Sequence, residues 1–220
     1  MMNRRVDFYH APQSRSGGTL MLLQELGAEY DLHLLDLRAG ETRQPAYLAI
    51  NPMGKVPAIR HLGELIAEQV AVFIYLGDLY ADTGLAPQIG EALRGPYLRW
   101  MAFYAGCFEP ALLDKALKRD PAPPSSAGYG DYDTVMRVLI DQLKPGPWFL
   151  GERFTVADVL WGNALWWTTS FKLVPEDPVI MRYLERFNAR PLVQQCRQQD
   201  ADFAAQHEAA RNARQQHELA

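Results

Sequence analysis

The stretch NPMGKVPAI, residues 51–59, places a proline where an apolar strand is about to begin. Proline has no backbone N–H to donate, so it belongs at the first residue of a strand or at a bend. A cis Val56–Pro57 bond at this bend would turn the N–H and C=O groups of Val56 outward. An extended peptide could then pair with them as an added strand does. The segment predicts either such a binding edge or an ordinary loop-to-strand transition.

Around this segment, the first 82 residues alternate between strand-like and helix-like patterns. RVDFYH and DLHLLDL are typical of strands, and KVPAIRHLGELIAE of two strands joined by a tight turn. GGTLMLLQELGAEY and EQVAVFIYLGDLYAD carry apolar residues at helical spacing. This order predicts a small mixed sheet, parallel at its start and antiparallel at its end, covered by helices.

After residue 82 the strand patterns stop. TGLAPQIG, residues 83–90, is rich in glycine and proline and is the predicted linker. Residues 91–205 then form the predicted all-helical domain. Within it, Thr155 and Asp158 have the spacing of a capping box that starts a helix. Residues 206–220 are polar and alanine-rich, and this tail is expected to fray.

Composition narrows the class of protein. A net charge of −4 and a sequence pI of about 5.7 argue against nucleic acid or an anionic membrane as the main partner. No apolar run reaches the length of a membrane span, so a cytoplasmic location is expected. Cys107 and Cys196 lie far apart and form no Cys-x-x-Cys pair, which argues against a disulfide framework and a metal site.

Glu68 and Gln69 lie where a strand pattern changes into a helix pattern. The unpaired N–H groups of a helix N-terminus attract anions, so a ligand carboxylate could sit there while Glu68 pairs with a ligand ammonium group. The alternative is an ordinary helix start with an acid that favours the helix dipole.

Each of these features is weak evidence alone, but together they are specific for one fold. The strand–helix–strand start with its serine-bearing loop, NPMGKVPAI, the Glu68–Gln69 pair and the helical FTVADVLWGNAL resemble a cytosolic glutathione transferase of the bacterial, serine-type-like kind. The resemblance covers residues 5–195. It implies an α/β thioredoxin-like N-terminal domain that binds glutathione, followed by an all-α C-terminal domain that holds the second substrate.

The resemblance also implies roles for individual residues. The Val56 backbone, beside a cis Pro57, would bond the cysteinyl backbone of glutathione, and Lys55 would assist a glutathione carboxylate. Glu68 and Gln69 would hold the γ-glutamyl end. The helical domain would supply an aromatic pocket for the electrophile, with core packing as the alternative for the same rings. The pocket candidates are Tyr104, Trp100 and Phe108, with Tyr97, Phe103, and Trp166 or Trp167 beside them.

The loop PQSRSGG, residues 12–18, is where the resemblance places activation of the glutathione thiol. A hydroxyl that donates to the sulfur stabilises the thiolate, and a helix N-terminus and a nearby cation assist. Ser14 matches the serine of the serine-type classes and is the predicted donor, whereas Ser16 is the predicted N-cap. Ser16 as the donor, or neither serine, are the alternatives. Arg15 takes the position of the cysteine in cysteine-type classes and is the predicted nearby cation.

The function implied is conjugation of the glutathione thiolate to a small hydrophobic electrophile, by a detoxifying homodimer with no metal. Gln69 departs from the serine or threonine that is common at its position. Two alternatives follow. One is a non-catalytic protein-binding module of the same fold, and the other is a glutathione-dependent isomerase, dehalogenase or peroxidase.

Overall fold

A computed structural model describes residues 3–120, 122–123 and 125–218, with side chains up to residue 216. The chain divides into two compact units. One contains the chain up to Leu79 together with the segment from Arg190 onward, and the other is Tyr80–Ala189.

The first unit is built on a four-stranded mixed sheet. Its strands are β1 (Val6–His10), β2 (Tyr30–Leu34), β3 (Ala58–His61) and β4 (Glu64–Ile66), in the order β2-β1-β3-β4. β1 and β2 are parallel because a helix connects them, whereas β3 pairs antiparallel with both β1 and β4. The predicted mixed sheet is confirmed.

Three helices of this unit follow the strands as predicted: α1 (Ser16–Glu25), α2 (Pro45–Leu48) and α3 (Gln69–Leu79). Their apolar side chains pack with the sheet into a core in which Phe8, Leu20, Ile59 and Phe73 are fully buried. This is a thioredoxin-like arrangement. The Val56–Pro57 peptide bond at the start of β3 is cis, which confirms the prediction for that bond.

A long C-terminal helix, α9 (Pro191–Glu218), belongs to this first unit and packs against α1. From the sequence we predicted that the helical domain extends to residue 205 and that residues 206–220 fray. In the structure α9 is grouped with the sheet, and it is helical to residue 218. Long-range ion pairs explain the difference. Arg190 makes a two-pronged contact with Glu25 at 2.8 Å, and Arg211 pairs with Asp36. Residues 219 and 220 of the predicted tail lie outside the described residues.

The second unit is all-helical. Its main helices are α4 (Arg94–Phe103), α5 (Glu109–Leu117), α6 (Tyr132–Leu143), α7 (Val156–Ser170) and α8 (Pro178–Asn188), with a π-helical segment at Tyr104–Phe108. The predicted linker 83–90 lies within this unit, where Leu85 C=O accepts a hydrogen bond from Val156 N–H.

The start of α7 carries the predicted capping box. Thr155 N–H donates to Asp158 Oδ2 at 2.8 Å, which satisfies a donor at the helix N-terminus. Phe149 N–H and the Tyr183 hydroxyl donate to the other carboxylate oxygen, at 2.6 and 3.1 Å. Burial nevertheless raises the pKa of Asp158 to about 6.

Candidate active site

The loop between β1 and α1 holds two serines whose hydroxyls contact each other. Ser14 Oγ and Ser16 Oγ are 2.7 Å apart. Ser14 is half-buried and also donates to Ala11 C=O at 2.7 Å, whereas Ser16 is fully buried. Of the two hydroxyls, Ser14 is therefore the one placed to reach a ligand.

The prediction that Ser16 is the N-cap of α1 is wrong. Arg15 occupies the N-cap position, and Ser16 is the first helical residue. Ser16 Oγ accepts the N–H of Ala11, at the end of the preceding strand, instead of an N–H further along the helix. Ser14 Oγ accepts the Ser16 N–H at 3.1 Å, so Ser14 satisfies a donor at the helix start. Gln13, just before Ser14, has a left-handed backbone with φ 57°, which is uncommon for a residue other than glycine.

Two residues that the sequence analysis did not single out, His10 and Asp200, extend the Ser14–Ser16 contact toward the protein interior. His10, fully buried at the end of β1, places Nδ1 2.7 Å from Ser16 Oγ and Nε2 3.1 Å from Asp200 Oδ1. The other oxygen of Asp200 accepts Gln13 N–H at 2.9 Å. The sequence shows His10 only as the end of a strand, and Asp200 lies on α9, 187 residues beyond Gln13.

The cis Val56–Pro57 bond lies beside this loop. Tyr9 pairs with Ala58 in antiparallel register, so the residues after Tyr9 run next to those before Ala58. Lys55 C=O accepts the Tyr47 hydroxyl at 2.7 Å and the Asn51 amide at 2.9 Å, which fixes the turn.

Val56 itself keeps its backbone groups available. Among the described residues, neither the N–H nor the C=O of Val56 has a hydrogen-bond partner. A half-buried edge of this kind can pair with an extended peptide-like ligand.

The N-terminus of α3 meets the same loop. Gln69 is the first residue of α3, and its Nε2 donates to Arg15 C=O at 3.1 Å. Glu68, just before it, is exposed and has a left-handed backbone with φ 63°. The structure thus brings Ser14, Arg15, Glu68 and Gln69 together at two helix N-termini, where unpaired N–H groups favour anions.

Most of the aromatic side chains predicted to form the substrate pocket are core residues instead, whereas Phe103 and Trp167 are half-buried and Trp166 is exposed. Trp100, Tyr104 and Phe108 are each at most 3% exposed. They surround Trp161, whose ring stacks on Phe149 at 4.9 Å. Close packing of five rings buries more apolar surface than a lining position would, and the structure therefore assigns these rings to the core of the helical unit.

The two cysteines are poor candidates for thiol chemistry. Burial raises the pKa of the Cys107 thiol, and burial together with Glu25 and Asp200 raises that of Cys196 to about 12. A thiol is reactive as its thiolate, which a raised pKa disfavours.

No cluster of three or more His, Cys, Asp or Glu side chains in the described part of the chain is arranged to hold a metal ion. None of the helices described is long and apolar enough to cross a membrane.

The chain is similar to known proteins over most of its length. The disulfide-bond oxidoreductase YfcG of Escherichia coli (strain K12) is 28% identical over 202 residues, which cover 84% of this chain and 91% of that protein. A glutathione transferase structure from Methylococcus capsulatus superposes with a TM-score of 0.74 at 28% identity, covering 89% of this chain and 98% of that one. A sphingomonad glutathione S-transferase complexed with glutathione gives 0.72 at 25% identity, covering 89% and 98%.

The family models cover most of both units. Residues 5–78 match the model of the glutathione S-transferase N-terminal domain, and residues 131–191 match that of the C-terminal domain. The first match contains the serine loop, the cis proline and the Glu68–Gln69 pair, and the second contains the capping box of α7. The chain belongs to the glutathione S-transferase family.

Proposed function

We propose that this protein activates the thiol of glutathione with Ser14 and conjugates it to a small hydrophobic electrophile. The observation that carries the proposal is the half-exposed Ser14 hydroxyl at the N-terminus of α1, beside the N-terminus of α3 and the unpaired backbone of Val56. The sphingomonad relative, complexed with glutathione, supports the choice of co-substrate.

The chemistry is stabilisation of a thiolate. A free thiol of this kind has a pKa of about 8.5, so only a small fraction is ionised at neutral pH. A hydroxyl that donates to sulfur, together with a helix N-terminus, lowers that pKa. Ser14 donates to Ala11 C=O in the structure, and rotation about its C–O bond redirects the hydrogen to a bound sulfur. The thiolate then attacks the electrophilic carbon, a C–S bond forms, and the leaving group departs with its electron pair.

Binding would use the groups around the loop. Val56 pairs with the peptide backbone of glutathione, Glu68 with its ammonium group, and the N–H groups at the start of α3 with its carboxylate. The Gln69 amide already donates to Arg15 C=O, so it acts by joining the two helix starts. Lys55 and Arg15, both exposed, add positive charge near the glutathione carboxylates. A cytoplasmic homodimer with a detoxifying role is part of the same proposal.

Replacement of Ser14 tests this function. Ser14→Ala is expected to lower kcat/KM for glutathione and a chlorodinitrobenzene by about tenfold or more, because the thiolate loses its hydroxyl donor. Glutathione affinity, measured by calorimetry, is expected to change little. Ser170→Ala is the matched control, since Ser170 is an exposed serine of the helical unit. An unchanged kcat/KM in Ser14→Ala would contradict the assignment.

A second candidate is glutathione-dependent reduction of disulfides, favoured by the likeness to an oxidoreductase that acts on disulfide bonds. Since both protein thiols have raised pKa values, two glutathione molecules would supply the thiols, giving one glutathione disulfide and two product thiols. Rates with hydroxyethyl disulfide and with the chlorodinitrobenzene, measured on the same preparation, decide between the two reactions.

Other outcomes identify the remaining alternatives. Turnover of a hydroperoxide, a haloaromatic or an isomerisable substrate with glutathione would identify a peroxidase, dehalogenase or isomerase. No binding of glutathione at millimolar concentration would instead favour a protein-binding module that is not an enzyme.

A further inference from the structure

We propose that the proton of the glutathione thiol is accepted by His10, held by Asp200, through the hydroxyls of Ser16 and Ser14. The inference rests on the proposed function, since it presumes that glutathione binds beside Ser14. It adds a proton acceptor to the site and gives the C-terminal helix α9 a part in the chemistry.

The four side chains form an unbroken row. Ser14 Oγ and Ser16 Oγ are 2.7 Å apart, Ser16 Oγ and His10 Nδ1 are 2.7 Å apart, and His10 Nε2 lies 3.1 Å from Asp200 Oδ1. Each separation is within hydrogen-bonding reach. In the structure both hydroxyls also donate to Ala11 C=O, at 2.7 and 3.0 Å, and rotation about each C–O bond turns Ser14 toward Ser16 and Ser16 toward His10 Nδ1. Because a hydroxyl both donates and accepts, each serine can then pass a proton on in the same step in which it receives one.

The inner end of the row is buried and has no competing partner. His10 Nε2 and Asp200 Oδ1 are both buried atoms, and among the described residues neither makes a hydrogen bond. They lie 3.1 Å apart, so the carboxylate is the group placed to compensate a positive charge on the imidazole. Asp200 is fixed from its other oxygen by Gln13 N–H.

The surroundings of the imidazole favour a single charged partner. Phe8 of β1 stacks on the His10 ring at 5.4 Å, and Phe203 of α9 lies edge-on at 6.0 Å. From α1 the contact is the neutral Ser16 hydroxyl. Asp200 is thus the charged side chain seen to contact the imidazole in the described part of the chain. In the proposed transfer, the carboxylate faces Nε2 and Nδ1 is the nitrogen that accepts from Ser16.

Every proton and electron pair in the proposed proton transfer is accounted for. The S–H bond of glutathione breaks and its proton goes to Ser14 Oγ, while the Ser14 proton moves to Ser16 Oγ and the Ser16 proton moves to His10 Nδ1. The electron pair of the S–H bond stays on sulfur as the thiolate. The positive charge on His10 is then compensated by Asp200. After the C–S bond has formed and the leaving group has gone, the proton returns to solvent by the reverse route through Ser16 and Ser14.

The alternative is a structural role, in which His10 and Asp200 merely fasten α9 to the end of β1. The two roles differ in what they do to the thiol. A fastening contact affects stability alone, whereas a proton acceptor also sets the pKa of the bound thiol.

The test measures that pKa directly. The ultraviolet absorbance of the thiolate is followed against pH in the glutathione complex of the full-length protein. Asp200→Asn keeps the shape and an acceptor for Gln13 N–H but removes the charge. The variant is expected to raise the pKa of the bound thiol by about one unit, which makes the thiolate fraction at neutral pH about tenfold smaller. It is also expected to lower kcat, with little change in the Kd for glutathione. Asp202→Asn, an exposed change on the same helix, is the control and leaves the thiol pKa unchanged.

A second variant keeps the test valid if Asp200→Asn folds poorly. Ser16→Ala interrupts the row while leaving the His10–Asp200 contact in place, and it is expected to raise the thiol pKa to a similar extent. The double variant is expected to be no worse than the more damaging single variant, because both interrupt one row. A wild-type thiol pKa in folded Asp200→Asn or Ser16→Ala would overturn the inference. Failure of the wild-type protein to bind glutathione would instead overturn the proposed function.

Discussion

Ser14 and Ser16 are two residues apart, yet they differ in burial and in hydrogen-bond partners, and we therefore expect them to have different roles in the site. Ser16 is fully buried and contacts His10 and both backbone groups of Ala11. Ser14 is half-buried and holds the N–H of Ser16. A buried hydroxyl with all its partners inside the protein rigidifies the loop, and a half-buried one can exchange a backbone acceptor for a ligand atom.

Glu68 permits a test of the binding groups that is independent of the thiol. Glu68→Gln removes the charge that would pair with the glutathione ammonium group. The KM for glutathione is expected to rise about fivefold, as an exposed ion pair contributes about 1 kcal/mol, while kcat stays nearly the same.

Steady-state kinetics with varied glutathione measures both parameters for this variant. Glu64→Gln, an exposed change on β4, provides the comparison. A fall in kcat with an unchanged KM would contradict the binding role of Glu68.

At the scale of elements, the start of α7 is the most strongly determined part of the helical unit. The Asp158 carboxylate receives hydrogen bonds from Thr155, Phe149 and Tyr183 while it is fully buried. The same side chain therefore starts a helix and joins it to two other segments of the unit. Removal of a buried acceptor of this kind leaves several donors unsatisfied.

Asp158 also gives the unit a pH dependence. Because its pKa is raised from 3.8 to about 6, the folded protein binds more protons than the unfolded chain between these values. This contribution to stability is fully present below about pH 4 and is lost as the pH rises through about 6. The free energy of unfolding is expected to fall across this range by up to about 3 kcal/mol.

Urea unfolding at several pH values, with wild-type protein and Asp158→Asn, isolates this effect. The variant is expected to be less stable at every pH and to lack this part of the slope. Identical slopes in the two proteins would show that Asp158 does not titrate in this range.

At the scale of the whole molecule, the chain returns to its first unit after completing the helical one. Helix α9 packs on α1 and contributes Asp200 to the row of side chains behind the serines. It is fixed at its start by Arg190, the residue before the helix, which pairs with Glu25 of α1. The ion pair is well protected, since the Glu25 side chain is only 8% exposed. The position of Asp200 therefore depends on how firmly α9 is docked.

Arg190→Ala is expected to lower the free energy of unfolding by about 1–3 kcal/mol, because it leaves a largely buried carboxylate without its partner. It is also expected to lower kcat, since a loosened α9 places Asp200 less well. Chemical unfolding and steady-state kinetics measure the two effects. Arg182→Ala, an exposed arginine of α8, should change neither. If Arg190→Ala lost stability but kept the wild-type kcat, the expectation that catalysis depends on how α9 is docked would be wrong.

Local sequence located the segments that form the candidate site. A serine-bearing loop before a helix, a proline at a strand start and an acidic residue at a helix start are each recognisable within a few residues, and the structure brings these segments together. The roles of the aromatic residues could not be predicted in this way, because Trp100 and Tyr104 have the same sequence pattern whether they line a pocket or fill a core. Burial alone separates these cases, and burial depends on the packing of five rings from distant segments.

Local sequence patterns were enough to predict the order of strands and helices, the cis Val56–Pro57 bond, the capping box of α7 and, from these together, the family. Each of these depends on contacts between residues near one another in the chain. Three features could be seen only in the folded chain: the burial of Ser16 behind Ser14, the contact of His10 with Asp200, and the grouping of α9 with the sheet. These contacts join residues up to 190 positions apart, as for His10 and Asp200, and their energy comes from burial and from ion pairs that exist only after the chain has folded.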